Sequence, residues 1–218
     1  LIRSRSGAGH GPGEHRSYGG ARVSRLSTDD IDALLSTLGR VRFVAIDFET
    51  TGLSPDQDRV VEVGAIAFHM EQADDEWIAI EEGRYETLVN PQRPIPPEVS
   101  AIHGIDDLAV SMAPTFAQVA GKLLPFLEGS ILVAHNAPFD MGFLLAETVR
   151  AGIEKPANPA YDTVAIAKTA ISGLPSYSLK ALAASFGLEQ TAAHRGGDDA
   201  RVCKELFVRC VNLINTSK

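Results

Sequence analysis

The sequence predicts an α/β layered fold, a mixed sheet covered by helices, and three observations predict it. Arg42-Phe43-Val44-Ala45-Ile46-Asp47-Phe48-Glu49 is a nearly continuous apolar run ending in acids, the mark of a buried central strand. Two more strand-like segments, Arg59 to Phe68 and Arg84 to Val89, follow at short gaps that suit antiparallel hairpins. After them, helical spacing alternates with the short apolar strand Ile131 to Ala134, so parallel strands complete the sheet beneath helices.

Ser27-Thr28-Asp29-Asp30 ahead of Ile31, Leu34, Leu35 and Leu38 reads as an N-cap and a short helix ended by Gly39. The central strand then leads into the turn Thr51-Gly52-Leu53-Ser54-Pro55. Pro96-Pro97-Glu98 opens a short helix through His103 and Gly104. Pro114 to Leu127 carries Phe116, Val119, Ala120, Leu123 and Leu124 at helical spacing. Phe139 to Val149 is a helix closed by Gly152, and a loop containing Pro156 and Pro159 leads to Tyr161-Asp162 and a helix to about Ala170. Ser178 to Phe186 is a helix with Gly187 past its end, and a last helix runs from about Gly197 to Leu213.

Composition bounds the function. A chain of 218 residues with 44% hydrophobic and 22% charged residues can bury roughly 70% of its unfolded surface without staples. The first 25 residues are Gly-, Ser- and Arg-rich, with five arginines against Glu14 for a net +4. The remainder therefore carries −12 against the chain's −8. This expectation divides the chain into a disordered basic tail, 1–25, and one folded domain, 26–218. The net acidity argues against gripping duplex DNA through many phosphates. There is no apolar run of membrane-spanning length and no secretory leader pattern. Cys203 and Cys210 lie seven apart in a helical pattern, about 10 Å by helix geometry, too far for a disulfide. A reduced, cytoplasmic protein is expected.

The acids carry the chemistry. Asp47 and Glu49, two apart on a strand, point to one face. Alone, such a pair is usually an ordinary solvated strand end. Asp140, in His135-Asn136-Ala137-Pro138-Phe139-Asp140, sits between a strand and a helix, where a dipole-favoured acid is also at home. At His194-Arg195-Gly196-Gly197-Asp198-Asp199, periodicity chooses between the aspartates. Asp199 heads the stripe of Val202, Cys203, Leu206 and Cys210, whereas Asp198 shares its side with Arg201 and Glu205 and should be solvated. Four carboxylates and the His194 imidazole form an oxygen-rich set that favours Mg²⁺ or Mn²⁺ over zinc. Two such ions can clamp a phosphate diester, and a histidine can deprotonate water near neutral pH.

These motifs, Asp47-Phe48-Glu49-Thr50-Thr51-Gly52, then His135 to Asp140, then His194 with Asp199 five residues on, resemble the three exonuclease motifs of the DEDD family. The histidine places the chain in the h subclass, a group that includes the epsilon proofreading subunit of bacterial DNA polymerase III. Arg195 stands where the tyrosine subclass has its tyrosine. The resemblance covers about Arg42 to Val211 and extends to Ala101-Ile102-His103-Gly104-Ile105 and to Ser178 through Ala183. It implies an RNase H-like fold and 3′→5′ hydrolysis of single-stranded DNA, releasing nucleoside 5′-monophosphates. By this carry-over Asp47, Glu49, Asp140 and Asp199 ligate two divalent metal ions, Mg²⁺ or Mn²⁺, and His194 is the general base. Thr50, Thr51, His103, Asn136 and Phe139 line the terminal nucleotide. The ring of Phe139 serves base stacking, worth roughly 1–3 kcal/mol, or core packing; Asn136 touches substrate or orients its loop. One departure is Gly196, where the family commonly has alanine. With Gly197 it should loosen the helix start by about 1 kcal/mol per glycine and leave the His194 segment mobile without substrate.

The expected partner is a single-stranded 3′ end, DNA ahead of RNA, with a DNA polymerase as a second candidate and no membrane. Because the chain ends soon after its last helix, a polymerase would engage the N-terminal tail or the domain surface. The rival enzyme reading is an RNA-trimming exonuclease, since no motif here marks contacts to a 2′-OH. The rival from another class is a catalytically silent nucleic-acid or polymerase-binding module, and the complete carboxylate set speaks against it.

Overall fold

The computed structural model describes residues 24–191 and 194–217. Apart from Ser24 and Arg25, the expected basic tail lies outside the described residues. So do Ala192, Ala193 and Lys218.

The chain enters through α1 (Thr28–Thr37). Ser27 Oγ accepts the Asp30 N–H at 3.1 Å, and Asp30 Oδ2 accepts the Ser27 N–H at 3.2 Å, a reciprocal cap that satisfies two donors with no intrahelical partner. The strands β1 (Arg42–Thr50), β2 (Val60–Ala73) and β3 (Glu76–Leu88) follow as an antiparallel meander. Next come α2 (Pro97–His103), α3 (Asp107–Val110), α4 (Phe116–Leu127), β4 (Ile131–Ala134) and α5 (Ala137–Arg150). Then β5 (Ala160–Asp162) leads to α6 (Thr163–Ala170), α7 (Leu179–Phe186) and α8 (Gly196–Thr216). The sheet order is β3-β2-β1-β4-β5, with β4 parallel to both β1 and β5. It is the mixed α/β sheet that the sequence predicts, three antiparallel strands and then parallel ones.

Strand β1 is buried on both faces because each face meets its own helical layer. Val44, Ile46 and Phe48 pack with Phe116, Val119, Leu123 and Phe143 of α4 and α5. Phe43 and Ala45 point the other way, toward Ile166, Leu182, Cys203, Leu206 and Phe207 of α6, α7 and α8. Phe43, Phe68 and Phe207 meet with ring centroids 5.3–6.0 Å apart. Asp47 and Glu49 continue the Phe43–Ala45 stripe, so β1 delivers them to the α8 side.

The β2–β3 hairpin is longer than the sequence predicts, since β2 runs on to Ala73 and β3 begins at Glu76. The charged residues of this stretch, outside the predicted strands, decorate an edge strand with a solvent face, where charges guard against edge-to-edge pairing. Asp74 turns the hairpin at φ 53°. The three-residue β5 and the four-residue α3 are also beyond the sequence reading, because elements that short carry no periodicity.

Candidate metal centre

The site lies where β1 ends, where α5 begins and where α8 begins. At the end of β1 the register against β2 shifts between Glu49 and Thr50: Glu49 faces Glu62, but Thr50 faces Val60. Such irregularities re-aim side chains beside functional sites. Asp140, 3% exposed in the first turn of α5, is fixed to β1 through Oδ1, which accepts the Phe48 N–H at 3.0 Å. Asn136 precedes that helix in the left-handed region at φ 67°, and its N–H donates to Asp162 Oδ1 at 3.1 Å. The same Asp162 oxygen caps α6 by accepting the Val164 N–H at 2.8 Å. One carboxylate thus ties two helix starts together.

Helix α8 delivers Asp199 through an unusually close backbone approach. Gly196 rests on Gly64, the residue paired with Asp47. A Cβ on Gly64 would fall 2.0 Å from the carbonyl carbon and oxygen of Gly196. A Cβ on Gly196 would lie 3.0 Å from the Gly64 nitrogen and 3.3 Å from the Asp47 oxygen. The sequence reading took the two glycines as loosening this segment. The structure gives Gly196 a packing reason: it is buried, and its N–H donates to Glu62 Oε2 at 2.8 Å. Asp199 faces inward as its apolar stripe requires; Oδ1 accepts from Gln190 Nε2 at 2.6 Å and Oδ2 from the His194 N–H at 3.2 Å. Asp198, expected to be solvated, instead accepts from Arg201 Nη2 at 2.7 Å, with a side chain only 9% exposed.

Glu49, His194 and Asp199 place ligand atoms within 4.8 Å of one another. His194 is exposed and adopts φ 61°, the left-handed region uncommon for residues other than glycine. Asp47 and Asp140 complete the cluster electrostatically. Burial, then the charges of Asp140, Glu49 and Asp199, push the Asp47 carboxyl well above the usual range. Burial lifts Asp140 to about 8 despite its backbone hydrogen bonds, with Glu49 adding to the shift. Glu49 rises to about 7 through burial and the charges of Asp199 and Glu62, with Arg195 opposing. Asp199 is raised by burial, against the hydrogen bonds from Gln190 and His194. Desolvated carboxylates that repel one another call for a cation. Four carboxylates and an imidazole suit a hard divalent ion, so the residues present fit the implied metals.

The expected substrate-lining residues are placed unequally. Thr50 is nearly buried, and its hydroxyl donates to the Gly52 carbonyl at 2.6 Å. Thr51 is turned inward: its hydroxyl donates to Asp58 Oδ1 at 3.2 Å and accepts the Arg59 N–H at 3.1 Å. His103 is buried at the end of α2, with Nδ1 accepting the Ile105 N–H at 3.0 Å. Its Nε2 meets no partner at ordinary hydrogen-bond geometry among the described residues, although the Thr50 backbone lies near enough to favour the protonated ring. Phe139 is partly buried and packs on Phe143, ring centroids 4.9 Å apart. Asn136 is exposed. Sequence reasoning missed Glu62, Gly64, Gln190 and the partnership of Arg195. Only the burial expected of a glutamate inside the apolar run Val60-Val61-Glu62-Val63 could have signalled the first of these.

A mixed sheet whose central strand ends in paired carboxylates, completed by acids from two helix starts, gathers the oxygen ligands that a nuclease-type metal site would need. The chain belongs to the exonuclease family, whose profile matches residues 44–207. It is 42% identical over 173 residues to the DNA polymerase III epsilon subunit of Treponema pallidum (strain Nichols), covering 78% of this chain and 77% of that protein. It is 39% identical over 197 residues to the PolC-type DNA polymerase III of Thermotoga maritima, covering 88% of this chain. The chain spans only 13% of the length of that polymerase. Among solved structures it resembles exonuclease X in complex with 5′ overhanging duplex DNA, with a TM-score of 0.57, 27% identity and coverage of 78% and 91% of the two chains. The fold is thus the RNase H-like one.

Proposed function

We propose that the chain is a metal-dependent 3′→5′ exonuclease that removes nucleoside 5′-monophosphates from the 3′ end of single-stranded DNA. The observation that carries this reading is the convergence of Glu49, His194 and Asp199 within 4.8 Å, beside two more carboxylates whose protons burial and mutual repulsion hold. Asp47, Glu49, Asp140 and Asp199 would hold two divalent ions, Mg²⁺ or Mn²⁺. Such ions neutralise the phosphate oxygens and acidify water.

The chain's own residues do the rest. His194, exposed above the carboxylates, accepts at a ring nitrogen the proton of the attacking water. Phosphorus gains that oxygen as the bond to the 3′ oxygen of the preceding nucleotide breaks. The products are the terminal nucleoside 5′-monophosphate and a new 3′-hydroxyl. His103 offers Nε2 from a buried position, and Phe139 and Asn136 offer a partly buried ring and an exposed amide to the terminal nucleotide. Thr50 and Thr51 shape the strand end.

DNA is favoured over RNA because relatives of this chain are a DNA polymerase III epsilon subunit and a PolC-type DNA polymerase III, and exonuclease X has been seen on overhanging duplex DNA. A polymerase is the proposed partner on the same ground, and the cytoplasm the proposed compartment. No helix among the described residues is long and apolar enough to cross a membrane. The test is product analysis on matched 5′-labelled DNA and RNA strands with Mg²⁺ or Mn²⁺. Stepwise shortening of DNA from the 3′ end, absent in Asp47→Ala, is the expected result. Faster shortening of RNA, or equal digestion by Asp47→Ala, overturns the reading.

A further inference from the structure

Glu62 occupies a position that needs explaining. It stands directly opposite Glu49 across the β1–β2 ladder, where like charges destabilise a sheet, and it is 7% exposed. Arg195 resolves the conflict. Its Nη2 donates to Glu62 Oε1 at 2.7 Å, and its Nε lies 3.2 Å from both carboxylate oxygens. The Gly196 N–H takes Oε2 at 2.8 Å. Two residues further along β2, on the same face, Gly64 leaves the space that Gly196 fills. Strand β2 therefore presents a socket, Glu62-x-Gly64, to the pair Arg195-Gly196. His194 is the next residue upstream. Its left-handed backbone, φ 61°, persists only where neighbours over-determine it. Those neighbours are this socket on one side and the Asp199 carboxylate, accepting the His194 N–H at 3.2 Å, on the other.

We propose that Glu62 and Arg195 are positioning residues: their forked ion pair, with the Gly196 amide, seats the His194 loop on β2 and so places the imidazole beside Glu49 and Asp199. The inference rests on the reading of His194 as the base. A planar guanidinium gripping a carboxylate at two points fixes direction as well as distance. A misplacement of about 1 Å in such a site costs on the order of 100-fold in rate. The hydrogen bonds of the pair run to each other and to the Gly196 amide, while only their charges reach Glu49 and His103, so the main effect belongs in kcat.

A double-mutant cycle tests this. Arg195→Gln is expected to lower kcat by about 30-fold or more, with KM changed less than about 3-fold, and Arg195→Lys to recover part of the loss. Glu62→Gln, nearly isosteric, should behave like Arg195→Gln and guards against a variant that fails to fold. The readout that a merely structural role would not move is coupling to His194. His194→Ala is expected to cost about 100-fold in the wild-type background but less than about 5-fold in Arg195→Gln. Losses that multiply independently overturn the proposal. Amide exchange in the metal-free full chain decides the latch without activity. In Arg195→Gln the Gly196 and Asp199 amides should exchange about 10-fold faster, while those of Ile46 and Val63 do not change. Unchanged exchange at Gly196 overturns the latch. A wild-type protein that digests nothing refutes the exonuclease reading instead, and leaves the exchange experiment standing.

Discussion

The Phe48 N–H donates to Asp140 Oδ1 at 3.0 Å, so a carboxylate on α5 is bolted to the backbone between Asp47 and Glu49. An asparagine at position 140 can keep that hydrogen bond while losing the charge. Asp140→Asn should therefore fold, and its metal-free form should be more stable than wild type at pH 8. Metal-dependent digestion should fall by about 100-fold or more, the usual scale for losing electrostatic support in a site. Thermal unfolding beside a strand-digestion assay checks both halves. A variant less stable than wild type at pH 8 would mean that Asp140 is not a repelled, buried acid.

The raised carboxyls set a pH dependence with a defined sign. Asp140 moves from 3.8 to about 8 and Glu49 from 4.5 to about 7. Between each ordinary and raised value the folded protein binds more protons than the unfolded chain. Metal-free stability from these groups is thus fullest below about pH 4 and declines as pH rises through 7 and 8, by up to about 1.4 kcal/mol per pH unit for each group. Measured as the difference from Asp140→Asn, the melting temperature of metal-stripped protein should fall between pH 5 and pH 8. Added Mg²⁺ should restore more at pH 8 than at pH 6, where protons compete for the ligands. A difference that stays flat over that range would contradict a desolvated cluster.

His194→Ala should lower kcat about 100-fold, the lower end of the range for removing a general base, while Mn²⁺ still binds the four carboxylates. Asp199→Ala should lose metal binding as well. Titration with Mn²⁺ alongside single-turnover kinetics separates the two variants. A His194→Ala enzyme with the rate and pH profile of wild type would remove the base assignment.

Gly64→Ala tests the close approach beneath α8. Its methyl would fall 2.0 Å from the Gly196 backbone, where neither side can yield by rotating a side chain. Overpacking of this kind costs about 1–3 kcal/mol, and the helix start must lift, carrying Asp199 from Glu49. The expected result is a lower melting temperature together with weaker Mn²⁺ binding. A control at Gly121, inside α4 where a Cβ meets nothing within 4 Å, should leave Mn²⁺ binding unchanged and raise the melting temperature slightly, as alanine favours a helix over glycine.

Much of this was legible beforehand because it is local. The apolar run into Asp47 and Glu49 announced a buried strand with both acids on one face. The stripe of Val202, Cys203, Leu206 and Cys210 selected Asp199 over Asp198, and the structure buries Asp199 on that face. Capping chemistry located α1 and α7, where Ser27 and Ser178 accept from Asp30 and Ala181. The extension of the β2–β3 hairpin was illegible because edge strands accept charged residues that otherwise read as loop.

What the sequence by itself determined is the set of chemical groups and their order: four acids and a histidine, each at an element boundary set by periodicity and turn residues. Only the tertiary structure decided how α8 meets β2. The pairing of Arg195 with Glu62, and of Gly196 with Gly64, joins residues more than 130 positions apart. No local pattern encodes such a contact, because it follows from which strands become neighbours and how closely a helix settles on them. That settling, permitted by the missing side chains of two glycines, sets Asp199 and His194 beside Glu49.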